Sequence, residues 1–344
     1  MEGALAAGAA FAFLGLGRGE SKGASPPDSA TPLSTERIPQ PDNEICSWTV
    51  FSPVNDQVAF ASGMIGEVRL YVSRPGQPQT FDVLWGPNSE FRGIQACAWS
   101  PDGTEIAFIV NYGNKEATPK FTKTSICVVD VASGAVREPV VISEVDEQGN
   151  KHSIAVSYQK GLAWWGNSCV CVPANDGSVM KFDTHTGQSE TLIAAPEGMS
   201  ISNVALTSSG ELRFIKGKNL GPGNGSEFVA GGLGQDGVLH DYENLTQQLG
   251  QTFSARLSQD GRFVFVGKRD TSSEGTTVIY KLETHSAVGQ IPAVVFYQKD
   301  TYAYVPLTVQ NENELILIEM VSLAVEGGGS ARNPSMRAVK MTLS

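Results

Sequence analysis

The 344-residue sequence is poor in charge: Asp, Glu, Lys and Arg make up 18% of it, and it has four histidines. No run of Lys and Arg occurs, and the formal net charge is −11. The chain therefore lacks the basic stripe that holds a phosphate backbone, and nucleic acid is not expected as a partner. No long segment repeats apolar residues at helical spacing, which argues against a helical bundle. No apolar run reaches the ~20 residues that a membrane-spanning helix needs. Cysteine is scarce and odd in number, five in all (Cys46, Cys97, Cys127, Cys169, Cys171), so a fully paired disulfide framework is excluded. Cys169 and Cys171 flank Val170 and share one face of a strand, but no further Cys or His stands at ligand spacing. They read as core thiols.

Turn chemistry is abundant instead, with 37 glycines and 18 prolines. Low charge and many turn residues suit an all-β protein with short loops. The clearest unit is Ala98-Trp99-Ser100-Pro101-Asp102-Gly103-Thr104-Glu105-Ile106-Ala107-Phe108. An apolar strand end enters a polar turn, where Pro presets φ and Gly takes the positive φ, and a second apolar strand leaves it. Phe51-Ser52-Pro53, Leu206-Thr207-Ser208-Ser209-Gly210 and Leu257-Ser258-Gln259-Asp260-Gly261 echo it. With Phe51, Trp99, Trp164, Leu206, Leu257 and Phe296 taken as equivalent, the intervals are 48, 65, 42, 51 and 39 residues. The longest interval holds two polar excursions, 111–124 and 143–153. Two hairpins repeated at this period predict a β-propeller of four-stranded antiparallel blades, six in number with seven as the alternative. A strand around 45–50 is expected to close the last blade, and the glycine-rich stretch 217–237 to form a long loop.

Ahead of the propeller (44–344) lie an apolar segment (1–20) and a Pro/Ser/Thr-rich linker or draped arm (21–43). Residues 3–17 have the length of a signal-peptide core but lack its positive start, since Glu2 precedes them and Arg18 and Lys22 follow. A signal peptide, a weak anchor and a tail stay open. Export to a periplasmic or secreted location is the favoured expectation, and the cytoplasm the alternative. Gly19-Glu20-Ser21-Lys22-Gly23 matches the nucleophile-elbow pattern by chance, because no buried strand precedes it and no helix follows.

The Ala98–Gly103 unit, with Ile126-Cys127-Val128-Val129-Asp130-Val131-Ala132-Ser133-Gly134 after it, resembles the repeat of TolB-like propellers. The wider WD-repeat class is similar, but its Trp-Asp and Gly-His pairs are absent. The resemblance spans most of 45–320 and implies a binding or scaffold propeller, often exported. It carries over no catalytic residues, because the matched motif is structural. Related propellers precede the hydrolase domain of prolyl-oligopeptidase-type peptidases, and the given chain leaves no room for one.

No catalytic constellation assembles. His185 and His285 occupy equivalent turns, and His152 and His240 stand apart. Asp56, Asp102 and Asp260 are turn-makers, as are Asp130, Asp183 and Glu283. A ring of turn oxygens is the one place where Ca²⁺ is an option, and no cofactor is otherwise expected. Trp99, Trp164 and Trp165 are large apolar payload between blades, with Trp164 or Trp165 able to stack on a ligand. The binding candidates are therefore Lys115, Lys120 and Lys123 in the first excursion together with Trp164 and Trp165, beside the acidic loop of Glu144, Asp146 and Glu147. The expected function is a non-catalytic scaffold presenting rim loops to a protein or peptide. The alternatives are a lactonase- or lyase-type enzyme with a metal in its central tunnel, and a structural subunit of a larger assembly. No membrane span is expected in the propeller, while an N-terminal anchor stays open.

Overall fold

Six antiparallel sheets follow one another along the chain, their strands paired in chain order except for the short strand Glu36–Arg37, which joins the last sheet. The computed structural model describes residues 32–41, 46–62, 68–86, 91–114, 120–145, 150–154, 156, 161–221, 224–268, 275–297, 300–311, 313–322 and 335–343. Each sheet is a blade of a six-bladed propeller. The six residues aligned by sequence all fall in the first strands of their blades: Cys46–Phe51, Phe91–Trp99, Ala163–Trp165, Ser200–Leu206, Ser254–Leu257 and Val294–Tyr297. One short helix occurs among the described residues, Leu245–Leu249, capped by the Asn244 side chain on Gln247 N–H. No helix there is long and apolar enough to cross a membrane.

The third strand of blade 2, Lys120–Asp130, shows why the sequence builds a ring. Ile126, Cys127, Val128 and Val129 are consecutive and fully buried. Side chains alternate along a strand, so a run with no polar gap needs apolar cover on both faces. Cys127 and Val129 enter a core shared with Val50, Ala61 and Leu70 of blade 1, while Ile126 and Val128 enter one shared with Trp164, Val170 and Phe182 of blade 3. Every adjacent pair is joined by such a cluster, including blade 6 to blade 1 through Phe60, Ile316, Ile318 and Ala338. Burying each of these large side chains is worth roughly 1.5–3 kcal/mol, so a lone blade would forfeit most of its stability.

The turns follow the sequence motif. Ser100 Oγ donates to Asp102 Oδ1 at 2.7 Å and accepts from Glu105 N–H at 2.9 Å, with Gly103 at φ 69°. Ser258, Asp260 and Phe263 repeat the arrangement, and Thr207, Ser209 and Glu211 approximate it. Asp130 and Asp183 accept from the N–H and hydroxyl of Ser133 and Thr186. Arginines brace three of the blade junctions: Arg137 reaches Thr184 O, Arg213 reaches Gly261 O and Arg262 reaches Val309 O.

Three expectations are corrected. The strand Cys46–Phe51 does not close the last blade; it pairs with Val58–Ser62 in blade 1. Blade 6 draws all four strands from 294–342, and the two-residue strand Glu36–Arg37 adds to its edge at Val339 and Lys340. The stretch around it is held by Leu33 N–H on Tyr304 Oη, Ile38 N–H on Ala338 O and the Gln40 amide oxygen on Ala338 N–H. Second, 217–237 is not a long loop, because Ser226–Leu233 is the third strand of blade 4. Its glycines make room for rings: a Cβ on Gly231 would lie 2.6 Å from the Phe214 ring, and one on Gly232 2.7 Å from that of Tyr242. Third, the excursions 111–124 and 143–153 are largely strand, lengthening blade 2 to Glu105–Asn114 and Lys120–Asp130 and adding the fifth strand Lys151–Ser153.

Blades 4 and 5 are also clamped by charge. Glu243 Oε2 accepts from Tyr280 Oη at 2.9 Å and lies 2.8 Å from Nδ1 of His285, whose backbone holds a positive φ of 50°. Desolvation pushes the Glu243 carboxyl up, but hydrogen bonds from His285, Tyr280 and Gln248 outweigh it and hold the carboxyl below its usual range. Burial and the Glu243 charge push the Tyr280 phenol up to about 12.

Two outcomes are expected. Gly231→Ala should destabilise by about 1–3 kcal/mol in chemical denaturation, the usual cost of overpacking, whereas a loop would tolerate it. Because the folded-state pKa of Glu243 is lowered, its contribution is present above the unfolded value of about 4.3 and is lost as pH falls through the folded one. Glu243→Gln should thus be less stable at neutral pH and show a flatter decline of melting temperature on acidification below about pH 4.3; parallel wild-type and variant curves would count against the clamp.

Candidate functional site

Two regions gather chemistry: the centre, where first strands converge, and the raised part of blade 2. At the centre, side chains from one blade occupy backbone groups of another. The indole N–H of Trp99 donates to Val50 O at 3.1 Å, and that of Trp164 to Ala98 O at 3.0 Å. Asn203 Oδ1 accepts from Leu257 N–H at 2.8 Å. Gln259 has the widest reach. Its side chain accepts from Phe51 N–H and donates to Thr49 O, and its own N–H donates to Leu307 O, tying blade 5 to blades 1 and 6. Trp48 packs against the cores on both sides of blade 2, and the Arg256 guanidinium lies 5.2 Å from its ring. Burial pulls Arg256 down to about 10.

The interactions described at this centre come from an indole, a guanidinium and amides, whereas a hard cation takes oxygen ligands. Among the described residues no three His, Cys, Asp or Glu side chains stand close enough to share a metal ion. The turn carboxylates have partners already: Asp102 Oδ1 takes Ser100 and Thr104, Asp260 takes Ser258 and Arg262, and Asp56 takes Gly76 N–H.

On blade 2 the lengthened strands carry a row of side chains in register. Tyr112 stands opposite Lys123, Lys123 opposite Glu144, and Glu144 opposite His152. The Lys123 ammonium lies 2.6 Å from Glu138 Oε2 and 5.3 Å from the centre of the Tyr112 ring. Tyr112 Oη contacts Cys127 Sγ at 3.5 Å, which ties the ring to the core below. On the opposite face of these strands Thr124 Oγ1 donates to buried Asn111 Oδ1 at 2.7 Å. Ser125 Oγ, one pleat below Lys123, is buried and has no partner among the described residues. Tyr112, Lys123 and Glu144 of this row line a groove of about 510 Å³ that also includes Gly113, Thr122, Glu138 and Val145. Val136, Val141, Val145 and Ile154, all on this blade, are exposed.

Of the sequence candidates, Lys123 lies in this groove, already ion-paired. Lys120 begins its strand, with its side chain outside the described residues, and Lys115 lies outside them altogether. Glu144 lies in the groove, whereas Asp146 and Glu147 fall outside the described residues. Trp164 is 1% exposed with its N–H spent, so its ring is closed to a ligand. Trp165 is half-buried against the core between blades 3 and 4. Tyr112, Glu138, Arg256 and Gln259 were not singled out from the sequence. For Tyr112 a signal existed: treating 111–124 as a hairpin sets it opposite Lys123.

No family model matches the chain, and no curated protein does. Similar solved structures are numerous. The structure of TolB from Acinetobacter baumannii is 14% identical, with a TM-score of 0.44 over 87% of this chain and 68% of that one. The β-propeller domain of Cps50 (Swd1) from Myceliophteria thermophila is 13% identical, with a TM-score of 0.46 over 90% of this chain and all of that one. An oligogalacturonate lyase from Vibrio parahaemolyticus is 10% identical, with a TM-score of 0.50 over 85% of this chain and 76% of that one. At such identities the likeness is one of fold, and the fold they share with this chain is the β-propeller.

Proposed function

We propose that this chain is a non-catalytic propeller that binds a protein or peptide partner along the raised face and outer strand of blade 2. One observation carries the reading: the exposed valines 136, 141 and 145 and Ile154 gather on the same blade as the groove of Tyr112, Lys123 and Glu144. Exposed apolar side chains beside a polar groove are the ordinary make-up of a docking surface, and a rigid sheet presents them at little entropic cost. The apolar residues 3–17 support work outside the cytoplasm.

Linear peptides selected from a random display library against the wild-type protein test this reading. Binding should weaken about tenfold or more in the double variant Val141→Ser, Val145→Ser, since each exposed valine contributes roughly 1 kcal/mol when covered. The matching change on blade 4, Val238→Ser with Leu239→Ser, should leave it intact. Binders sensitive only to the blade 4 pair would overturn the proposal. The competing metal-dependent enzyme makes its own demand. A resident ion stabilises only the folded state, so its removal lowers the melting temperature. Equal melting with and without EDTA is expected here, and a drop on chelation would favour the enzyme.

A further inference from the structure

We infer that the blade 2 groove receives a cationic side chain, an arginine or lysine carried by the bound segment, against Glu144 and the Tyr112 ring, which flank Lys123 in the strand register. This rests on the docking role proposed for blade 2 and specifies its chemistry. The groove holds one ammonium and two carboxylates. Lys123 stands directly opposite Glu144 in the strand pairing, yet its ammonium turns to Glu138 at 2.6 Å. Glu144 is exposed and is left without a partner among the described residues. Among the described side chains that line the groove one negative charge is therefore left over, in a protein whose formal net charge is −11.

The Tyr112 ring already shows what it can accept, because the Lys123 ammonium sits 5.3 Å from its centre. The ring is anchored underneath by its hydroxyl on Cys127, so it is presented as a fixed surface. A guanidinium laid along such a ring while donating to a carboxylate gains from both contacts. Cation–π contacts are worth about 0.5–2 kcal/mol, and charge-assisted hydrogen bonds about 1.5–3 kcal/mol. An anionic guest meets the opposite: among the described lining residues Lys123 is already paired with Glu138, and Glu144 repels it.

The probe is N-acetyl-arginine amide, titrated into isotopically labelled full-length protein and followed by amide NMR, with N-acetyl-citrulline amide as its neutral counterpart. The arginine compound should give saturable shifts at Tyr112, Lys123 and Glu144, with a dissociation constant in the millimolar range. Glu144→Gln should weaken it about tenfold, added salt should weaken it further, and citrulline should give no saturable shift. Equal binding of citrulline, an unaltered Glu144→Gln variant, or the absence of saturable shifts would each overturn the cation assignment. Failure of the parent reading looks different: there the selected peptides ignore the Val141 and Val145 changes. Peptides that depend on those valines but need no cation would keep blade 2 as a docking surface and remove this inference alone.

Discussion

The fold depends on one constraint: each sheet has two apolar faces and cannot cover either by itself. Ile126 and Val128 need blade 3 at the same time as Cys127 and Val129 need blade 1. Only a closed ring meets that demand for every blade. Hydrophobic contact alone would let neighbouring blades slide, because it is not directional. The hydrogen bonds across blades supply the missing direction. Trp99 on Val50 and Trp164 on Ala98 fix the first strands against one another, and the arginines that reach neighbouring turns fix the rim.

Much of this architecture is legible in the sequence because the repeat is carried by local chemistry. The Ser-Pro-Asp-Gly turn specifies its own hydrogen bonds within six residues, so Asp102 and Asp260 announce their hairpins wherever they stand. Trp99 and Leu257, which precede these turns, land on first strands for that reason. What was illegible depends on partners distant in sequence. The glycines of Ser226–Leu233 look like a loop until Phe214 and Tyr242 are seen to fill the space over them. The closing contact was misplaced because nothing local in Glu36–Arg37 distinguishes it from the surrounding Pro- and Ser-rich stretch.

The groove on blade 2 lies between these cases. Its lysine and its glutamate were visible as charges in polar excursions, but a charge in a loop and a charge in a strand row mean different things. Register sets Tyr112, Lys123 and Glu144 side by side, and the rotamer of Lys123 decides which carboxylate is satisfied. The centre shows the converse. Trp48, Arg256 and Gln259 are unremarkable as letters, yet at the centre they bring a guanidinium onto an indole ring and tie blade 5 to blades 1 and 6.

The pairing of Glu36 and Arg37 with Lys340 and Val339 has a kinetic side. Two segments some 300 residues apart must meet before blade 6 is finished. A contact of such long range is reached late, after the closure entropy of nearly the whole chain has been overcome. During synthesis, blade 1 therefore waits with Val58 and Phe60 uncovered until the final strands emerge from the ribosome. The last seam of the ring is thus also where the unfinished chain is most prone to associate with a second copy of itself.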